Sequence, residues 1–535
     1  MDRTFIIGTR GSDLALWQAN HIAARLEEAG YKTEIKVIKT QGDNILNLRL
    51  DKLEGKGFFT KELEEHLLAG DIDLAVHSHK DLPTENPPGL IISAVSERED
   101  PSEVLLILKD CTDTSKKLSV KHNGLVGTSS NRRQSQILSV RPDLEFEDLR
   151  GNVITRIQKL RDENYDAIVL AKAGISRLNL DLSEFHIETI EPLAEMIPAP
   201  AQGVLAVQIR ENDEELDAIL KKVVNDEDVA ECIGVERKVL NLFQGGCHMP
   251  LGSYCKKEDG LFKVWTGKAA TAEEFVDRLY VESEKTEGLA EYIVEKFDME
   301  KRKFPKKVFI SRELTEHSYF SRALGKHEIE IDARSLIKTV ATIHKIDSYI
   351  FKHVDWIFFS SKNGIDYFFQ LDPILPKHVK FGVVGRGSED ALRSLGKTVD
   401  FVGESSDTAD VAEEFAAVAN GTNVLFPLAK DSLRSIMKGL SPDTVISELI
   451  IYETILLDDV DKSFADVLVF TSPSNVEAYF NNNLLEPEQK IVAIGASTGK
   501  KLEDIGVTSY ILPASPDEIG LAEAVFGIDI EESLN

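Results

Sequence analysis

Short apolar runs that end in small, hydroxylated or basic residues and then pass into a helical stripe recur along this chain, and that alternation restricts it to the α/β class. The most informative run is Asp71-Ile72-Asp73-Leu74-Ala75-Val76-His77-Ser78-His79-Lys80-Asp81-Leu82-Pro83. Ile72, Leu74, Ala75 and Val76 read as a buried strand. The polar residues after it fall where open α/β sheets bind ligands, just beyond the carboxyl ends of the strands. Ser78, Lys80 and Asp81 are therefore expected at a reacting group. A carboxylate beside an ammonium stays ionised, which suits a reaction in which cationic charge develops on an anionic substrate. Alone, most such tripeptides are solvated loops with an incidental Lys-Asp pair.

Similar turns precede and follow it. Thr4 to Gly8 reads as a strand, followed by Thr9-Arg10-Gly11-Ser12 and a helix from near Leu14 to Gly30. A second strand, Glu34 to Ile38, leads to Lys39-Thr40-Gln41-Gly42-Asp43. Phe59, Leu63 and Leu67 form a helical stripe that Thr60 is placed to cap and Gly70 to close, with Lys56 and Lys61 at its start. Arg98-Glu99-Asp100-Pro101 marks a crossing into a second domain. There Leu125-Val126-Gly127 runs into Thr128-Ser129-Ser130-Asn131-Arg132-Arg133, a helix start whose free N–H groups and dipole favour an anion. Asn152 is the expected cap of a helix carrying Arg156, after Arg150, while Lys172 and Arg177 stand just past a strand from Tyr165 to Ala171. One basic turn is uninformative. Their repetition at equivalent positions points to a ligand with several carboxylates or phosphates, because each guanidinium fork offers two parallel hydrogen bonds of roughly 1.5–3 kcal/mol. No glycine-rich loop followed by Lys-Ser or Lys-Thr is present, so nucleotide is not favoured.

With 535 residues the chain has room for several domains, and its net charge of -29 disfavours nucleic acid and membrane surfaces as partners. Cys111, Cys232, Cys247 and Cys255 lack metal-ligand spacing, so no metal site is expected and the thiols read as reduced. The apolar run Phe5-Ile6-Ile7 is too short for a signal peptide, and no run reaches the ~20 residues that span a bilayer. A soluble, cytoplasmic protein is expected. A helical pattern from Val229 to Phe243 enters Gln244-Gly245-Gly246-Cys247-His248-Met249-Pro250, which holds Cys247 on a shaped loop; a lone cysteine is otherwise a small buried hydrophobe. A strand-rich segment from Tyr254 to Val264 and a helix from Ala290 to Phe297 complete a small α+β domain, and a charged linker ends at Phe304-Pro305.

A second α/β unit of two subdomains follows, with strands at Val308-Ile310, Trp356-Phe359, Phe381-Val384, Val424-Phe426, Leu449-Ile455, Val467-Phe470 and Ile491-Ile494. Several of these strands run into small polar residues, among them Ser360-Ser361, Thr471-Ser472 and Gly495-Ala496-Ser497. Gly382, Gly385 and Gly387 have the wrong order for a dinucleotide fingerprint. Tyr452 is read first as a strand aromatic, with a cross-domain contact as the alternative.

Thr9-Arg10-Gly11-Ser12 with Leu14-Ala15-Leu16-Trp17-Gln18, Gly55-Lys56-Gly57, His77-Ser78-His79-Lys80-Asp81, Gly127-Thr128-Ser129-Ser130 before Arg132-Arg133, Leu149-Arg150-Gly151-Asn152-Val153 and Gly245-Gly246-Cys247 together resemble hydroxymethylbilane synthase, also called porphobilinogen deaminase, over residues 1–300. Residues 305–535 resemble uroporphyrinogen-III synthase through Thr471-Ser472-Pro473, Tyr452-Glu453-Thr454 and Ile494-Gly495. The resemblance implies two α/β domains of solute-binding-protein type: domain 1 (1–98 and 200–224) and domain 2 (99–199). It also implies a small domain 3 (225–298) bearing the cofactor cysteine, a linker (299–307) and a synthase-like region (308–535). That region divides into subdomain A (308–340 and 460–535) and subdomain B (341–459).

The implied chemistry is condensation of four porphobilinogen units with loss of ammonia to hydroxymethylbilane, then D-ring inversion and closure to uroporphyrinogen III. A dipyrromethane cofactor would be attached by thioether to Cys247. Asp81 would stabilise the cation formed as ammonia leaves, aided by Lys80; Ser78, Lys80, Asp81, Ser129, Arg132, Arg133 and Arg156 would hold the cofactor. Arg10, Ser12, Arg150, Arg156 and Arg177 would grip substrate acetate and propionate groups. In the second half Tyr452 is carried over as catalytic, with Thr471, Ser472 and Ser497 as substrate contacts. His77 and His79 are read as loop structure and a monomer is expected. The family usually has Pro at Asp13 and Gly-Gln-Gly where this chain has Ala201-Gln202-Gly203, so the hinge is where this chain departs. Leu428 replaces an arginine that commonly follows Phe-Pro in the second family. Two other readings stay open: a deaminase with a catalytically silent C-terminal half, and a non-catalytic anion-binding module.

Overall fold

The computed structural model describes residues 3–39, 60–190, 195–244, 249–403, 405 and 408–530. The chain divides into two compact units, one of residues 1–112 and 120–301, the other of 113–119 and 302–535.

The first unit holds two sheets built on one plan. In the first, the order is Lys32–Val37, Thr4–Thr9, Leu74–Ser78, Leu205–Arg210, Leu90–Val95. Thr4–Thr9 runs parallel to both its neighbours, whereas Leu205–Arg210 is antiparallel to both of its own. In the second, the order is Glu145–Glu147, Leu125–Gly127, Ala167–Ala171, Glu103–Leu108, Phe185–Ile190, and Glu103–Leu108 is the antiparallel member. The antiparallel strand of each sheet arrives from the other domain. The chain therefore crosses once after Val95 and again before Leu205.

Local sequence explains the elements around these sheets. Ser12 caps the helix Asp13–Glu28 by accepting from the Ala15 N–H, and Ala19, Ile22, Ala23 and Leu26 bury one face against the first sheet. Thr60 occupies the N-cap position of Lys61–Ala69 without a side-chain cap bond, because its backbone is already helical (φ -116, ψ -25); Gly70 closes that helix in the left-handed region at φ 79. Asn152 caps Val153–Arg161 through the Thr155 N–H at 2.8 Å. A three-stranded antiparallel meander, Leu251–Glu258, Leu261–Lys268 and Asp277–Ser283, accompanies the helices Glu227–Leu242 and Leu289–Lys296.

Two residues at the return crossing sit at positive φ. Gly203 (φ +89) needs its missing side chain, since a Cβ there would stand 2.3 Å from the Glu99 carbonyl oxygen. Ala201 holds φ 63 with a Cβ present, a conformation that costs an L-residue about 1–2 kcal/mol. Its N–H donates to the buried Glu236 carboxylate at 2.6 Å, which fixes the turn. Glu236 also accepts from the Cys255 N–H at 2.8 Å and from Arg98 at 2.7 Å, so one carboxylate ties the crossing to the three-stranded meander.

The second unit has a four-stranded parallel sheet, ordered Glu330–Ala333, Lys307–Ile310, Val467–Phe470, Lys490–Ala493. Its six-stranded sheet is ordered Ile337–Ala341, Val445–Leu456, Asn423–Ala429, Trp356–Phe359, Lys380–Val383, Phe401–Val402, with only the first strand antiparallel to its neighbour. Ile337–Ala341 thus joins the larger sheet, so the chain enters that lobe a few residues before 340. The lobes repeat one construction: Ser361 and Ser472 cap helices after Trp356–Phe359 and Val467–Phe470, and Gly385 and Gly495 begin helices after the next strand. Among the described residues no helix is long and apolar enough to cross a membrane.

Candidate functional site

The strand Leu74–Ser78 is fully covered until Ser78, where it opens into the short turn His79–Asp81. Ser78 accepts from Gln18 Nε2 at 2.8 Å, and Lys80 Nζ donates to Gln202 Oε1 at 3.1 Å, while Asp81 is exposed. Arg237, from the helix Glu227–Leu242, donates to the carbonyls of His79 (3.1 Å), Leu82 (3.3 Å) and Pro83, so that helix clamps the turn. Burial pulls the Lys80 amine down to about 8; Asp81 and Glu103 oppose that shift, and Arg133 and Arg132 add to it. His77 and His79 are buried and neutral, burial bringing His77 down to about 4 and His79 well below its ordinary value.

The second domain brings its own cations to this turn. Arg132 and Arg133 lie at the start of Asn131–Val140, where Ser130 caps by accepting from the Arg133 N–H. Both are buried and share one carboxylate: Arg132 Nη2 lies 2.5 Å from Glu103 Oε1 and Arg133 Nη2 lies 2.7 Å from Glu103 Oε2. Their other donors meet the carbonyls of Ile197 at 3.0 Å and Val169 at 3.1 Å. Arg133 Nε is buried without a protein partner. Burial works to raise Glu103, but Arg133, Arg132 and Lys80 together hold it far below the usual carboxylate range. Arg156 donates from Nε to Gly151 O at 2.8 Å, and burial, with Arg133 and Arg150 beside it, brings it down to about 10 against the pull of Asp81. Asp81, Lys80, Arg132, Arg133, Arg150 and Arg156 therefore act on one another across the two domains.

The remaining candidates divide. Ser129 donates to Leu149 O at 2.9 Å, and Ser12 serves as a helix cap. Arg10 lies close enough to His77 to disfavour its protonation. Arg177 donates to Gly203 O at 2.8 Å with its guanidinium 5.4 Å from the Trp17 ring, which seats it at the return crossing. Cys247, with Gly245 and Gly246, lies outside the described residues, as do Gly55-Lys56-Gly57 and Thr40-Gln41-Gly42-Asp43. Cys111, Cys232 and Cys255 are buried free thiols.

Sequence reasoning missed Glu103, Gln202 and Arg237. Their signal is three-dimensional: Gln202 Nε2 reaches Pro101 O (2.7 Å) and Glu103 Oε1 (3.1 Å), a link between two crossings far apart in the chain.

In the second unit hydroxyl groups replace charges. Tyr452 is only 5% exposed, shares a hydrogen bond with Ser361 Oγ at 2.9 Å and stacks on Tyr367 at 5.2 Å. Burial pushes its phenol up, partly offset by Ser361. Thr471 lies at the end of Val467–Phe470, where its N–H donates to Ser311 Oγ (2.9 Å) and its hydroxyl to Ser311 O (3.1 Å). Ser472 caps the next helix through the Asn475 N–H, and Ser497 is exposed in the first turn of Ala496–Asp504. These three follow strands of the smaller sheet, whereas Tyr452 lies in a strand of the larger. Thr498, which belongs to the same small polar run but is not among the expected substrate contacts, is 1% exposed with Oγ1 unpartnered beside Ser497.

A split α/β frame whose turns bring Lys80, Arg132, Arg133 and Arg156 within electrostatic reach of Asp81 or Glu103, with Arg150 acting on Arg156, is the frame of a protein suited to polyanionic small molecules. Residues 5–218 match the family described as Porphobilinogen deaminase, dipyromethane cofactor binding domain, and residues 318–523 match Uroporphyrinogen-III synthase HemD. Porphobilinogen deaminase of Syntrophomonas wolfei is 45% identical over 260 residues, 48% of this chain and 82% of that protein. Its counterpart in Nitratiruptor sp. is 42% identical over 292 residues, 54% of this chain and 91% of that protein. The uroporphyrinogen-III synthetase structure from Helicobacter pylori is 17% identical, with a TM-score of 0.30, covering 40% of this chain and 96% of that one. The chain belongs to the porphobilinogen deaminase family. A uroporphyrinogen-III synthase domain follows in the same chain, and the two together make a bifunctional enzyme of tetrapyrrole biosynthesis, a transferase joined to a lyase.

Proposed function

We propose that the first half joins four porphobilinogen units, releasing ammonia at each step, and frees hydroxymethylbilane, which the second half converts to uroporphyrinogen III by inverting the last ring and closing the macrocycle. The observation that carries this reading is the meeting of the Lys80-Asp81 turn with Arg132, Arg133, Arg150 and Arg156 at one site.

The donor set suits a dipyrromethane. Such a group is rich in acetate and propionate, the cluster keeps an excess of positive charge, and Arg133 Nε is a buried donor awaiting an acceptor. Cys247 would attach it as a thioether, with Ser78, Lys80, Asp81, Ser129, Arg132, Arg133 and Arg156 around it. When bound, the cofactor supplies a permanent covalent anchor for the growing chain. Asp81, exposed and within electrostatic reach of Arg156, stabilises the cation left as ammonia departs and takes the pyrrole proton. Lys80, charged below about pH 8, holds a carboxylate of the incoming unit. Arg10, Ser12, Arg150, Arg156 and Arg177 complete the grip on acetate and propionate. Arg177 reaches that role only by sharing its fork with Gly203 O.

The solute-binding-protein arrangement of the first two domains and the boundaries 1–98 with 200–224, 99–199, 225–298 and 308–535 are part of the same proposal. The paired crossings, with each domain lending the other a strand, support it. Action as a monomer in the cytoplasm, on small molecules and without nucleic acid or membrane, accords with the charge of -29.

In the second half Thr471, Ser472 and Ser497 are proposed to contact the linear substrate, and Tyr452 to act on it. The burial of Tyr452 and its bond to Ser361 favour a second reading, in which it shapes the lobe and other groups do the chemistry. Intact mass and product isomers test the whole. The chain should exceed its sequence mass by one dipyrromethane, and Cys247→Ser should abolish that increment. Porphobilinogen should emerge as the type III ring. Turnover with an unmodified Cys247, or a purely type I product, would refute the respective half.

A further inference from the structure

We propose that Glu103 is a positioning residue of the deaminase site: one internal carboxylate that holds the Arg132 and Arg133 forks side by side and ties them, through Gln202, to Lys80. The inference deepens the deaminase reading and rests on it.

The geometry is a continuous chain of contacts across the two crossings. Glu103 is 1% exposed at the first residue of Glu103–Leu108, the strand the first domain lends to the second. Its two oxygens divide between the arginines at 2.5 Å and 2.7 Å, and Oε1 also accepts from Gln202 Nε2 at 3.1 Å. Gln202 turns its oxygen to Lys80 Nζ at 3.1 Å. An amide donates at one end and accepts at the other, so the ammonium donates to the amide oxygen, the amide N–H donates to the carboxylate, and the two guanidinium groups donate to that same carboxylate. Without Glu103, two buried guanidinium groups would face each other with no anion between them.

Glu103 differs in kind from Asp81. It is enclosed and saturated with donors, and so cannot reach a substrate; Asp81 is exposed and can. Its influence passes to the site through Lys80. The charges acting on that amine are Asp81 on its own turn and Arg132, Arg133 and Glu103 on the second domain, with burial favouring the neutral form. Removing the Glu103 charge leaves the arginines to discharge the amine further.

Glu103→Gln and Glu103→Asp in the full-length chain test this, by two readouts. One is the rate at which acetic anhydride acylates Lys80, followed by the mass of its peptide as pH is varied. The other is the pH profile of porphobilinogen consumption. Lys80 in the parent should react with a midpoint at about 8. Glu103→Gln should lower that midpoint by about one pH unit, the effect of losing an opposite charge nearby, and should draw the alkaline limb of consumption down with it. Glu103→Asp, which keeps the charge, should leave both close to the parent. An unmoved midpoint in Glu103→Gln, or equal shifts in the two variants, would overturn the proposal and leave Glu103 a packing residue. If Glu103→Gln does not fold, Glu103→Asn is read in its place against Glu103→Asp, which has the same size: a lower midpoint in the amide variant supports the proposal and equal midpoints defeat it. A parent chain with no dipyrromethane increment and no porphobilinogen consumption would defeat the deaminase reading, whereas the labelling midpoints report on Glu103 independently.

Discussion

The two halves of this chain, both proposed to bind carboxylated pyrroles, place different chemistry at their candidate sites. The deaminase half gathers arginines and a lysine and restrains them with buried carboxylates, Glu103 among the site cations and Glu236 at the crossing. The synthase half places hydroxyls of serine, threonine and tyrosine on or just past strands of its two sheets, bonded to one another rather than to charges. Charge gives a strong grip that titrates. Hydroxyl groups give a weaker one that does not, as suits a substrate that must turn a ring over and leave.

That contrast can be broken first at the crossing. Arg98→Leu strands Glu236, which is fully buried, without its cation, and loss of one partner of a buried pair typically costs about 3–5 kcal/mol. Thermal unfolding should show the first unit melting earlier while the second keeps its transition. Asp81→Ala should lower porphobilinogen turnover roughly a hundredfold or more, as loss of ~3 kcal/mol of charge stabilisation implies. The dipyrromethane increment and conversion of supplied hydroxymethylbilane should survive; retention of most turnover would remove Asp81 from the chemistry.

The pH dependence separates the halves more finely. Deaminase activity should fall as pH rises through about 8, where Lys80 loses its proton, while ring closure stays level across that range. On the acid side, His77 is depressed from 6.5 to about 4 in the fold. The unfolded chain thus binds the proton more readily, and stability present above 6.5 is lost as pH falls towards 4, on the order of 3 kcal/mol in all. Chemical denaturation at a series of pH values measures it, and His77→Gln should flatten the slope. Tyr452→Phe removes one buried hydrogen bond, about 1 kcal/mol of stability. A fall in ring closure beyond tenfold would assign Tyr452 to catalysis, and a smaller one to the lobe. The smallest effect is expected at Ala201→Gly, which relieves a left-handed alanine and should raise the first unit's stability by about 0.5 kcal/mol after the entropy cost of glycine.

Much of this site was legible in the sequence because strand-to-helix turns are local. The cap of Asn152, the helix starting beside Arg132 and Arg133, and the polar turn after Leu74–Ser78 need only a few neighbouring residues to be foreseen. The departure at Ala201 was legible too, and the structure adds its physical content, a positive φ held by Glu236. What stayed hidden depends on which turns meet. Arg132 and Arg133 read as ligand holders, yet their nearest acceptor is Glu103, which sits in an otherwise apolar strand. Arg177 read the same way, yet it lies over Trp17 and bonds the returning chain. Thr60 read as a cap from its type and place, but cap chemistry follows backbone angle, and there the helix had already begun.

The exchange of strands between the first two domains also has a consequence for birth order. Glu103–Leu108 and the other strands of the second sheet have all been synthesised by Ile190, whereas the first sheet waits for Leu205–Arg210. On the ribosome the later-encoded domain can close while the earlier one still has a gap in its middle. The amino-terminal domain is the last of the pair to be finished.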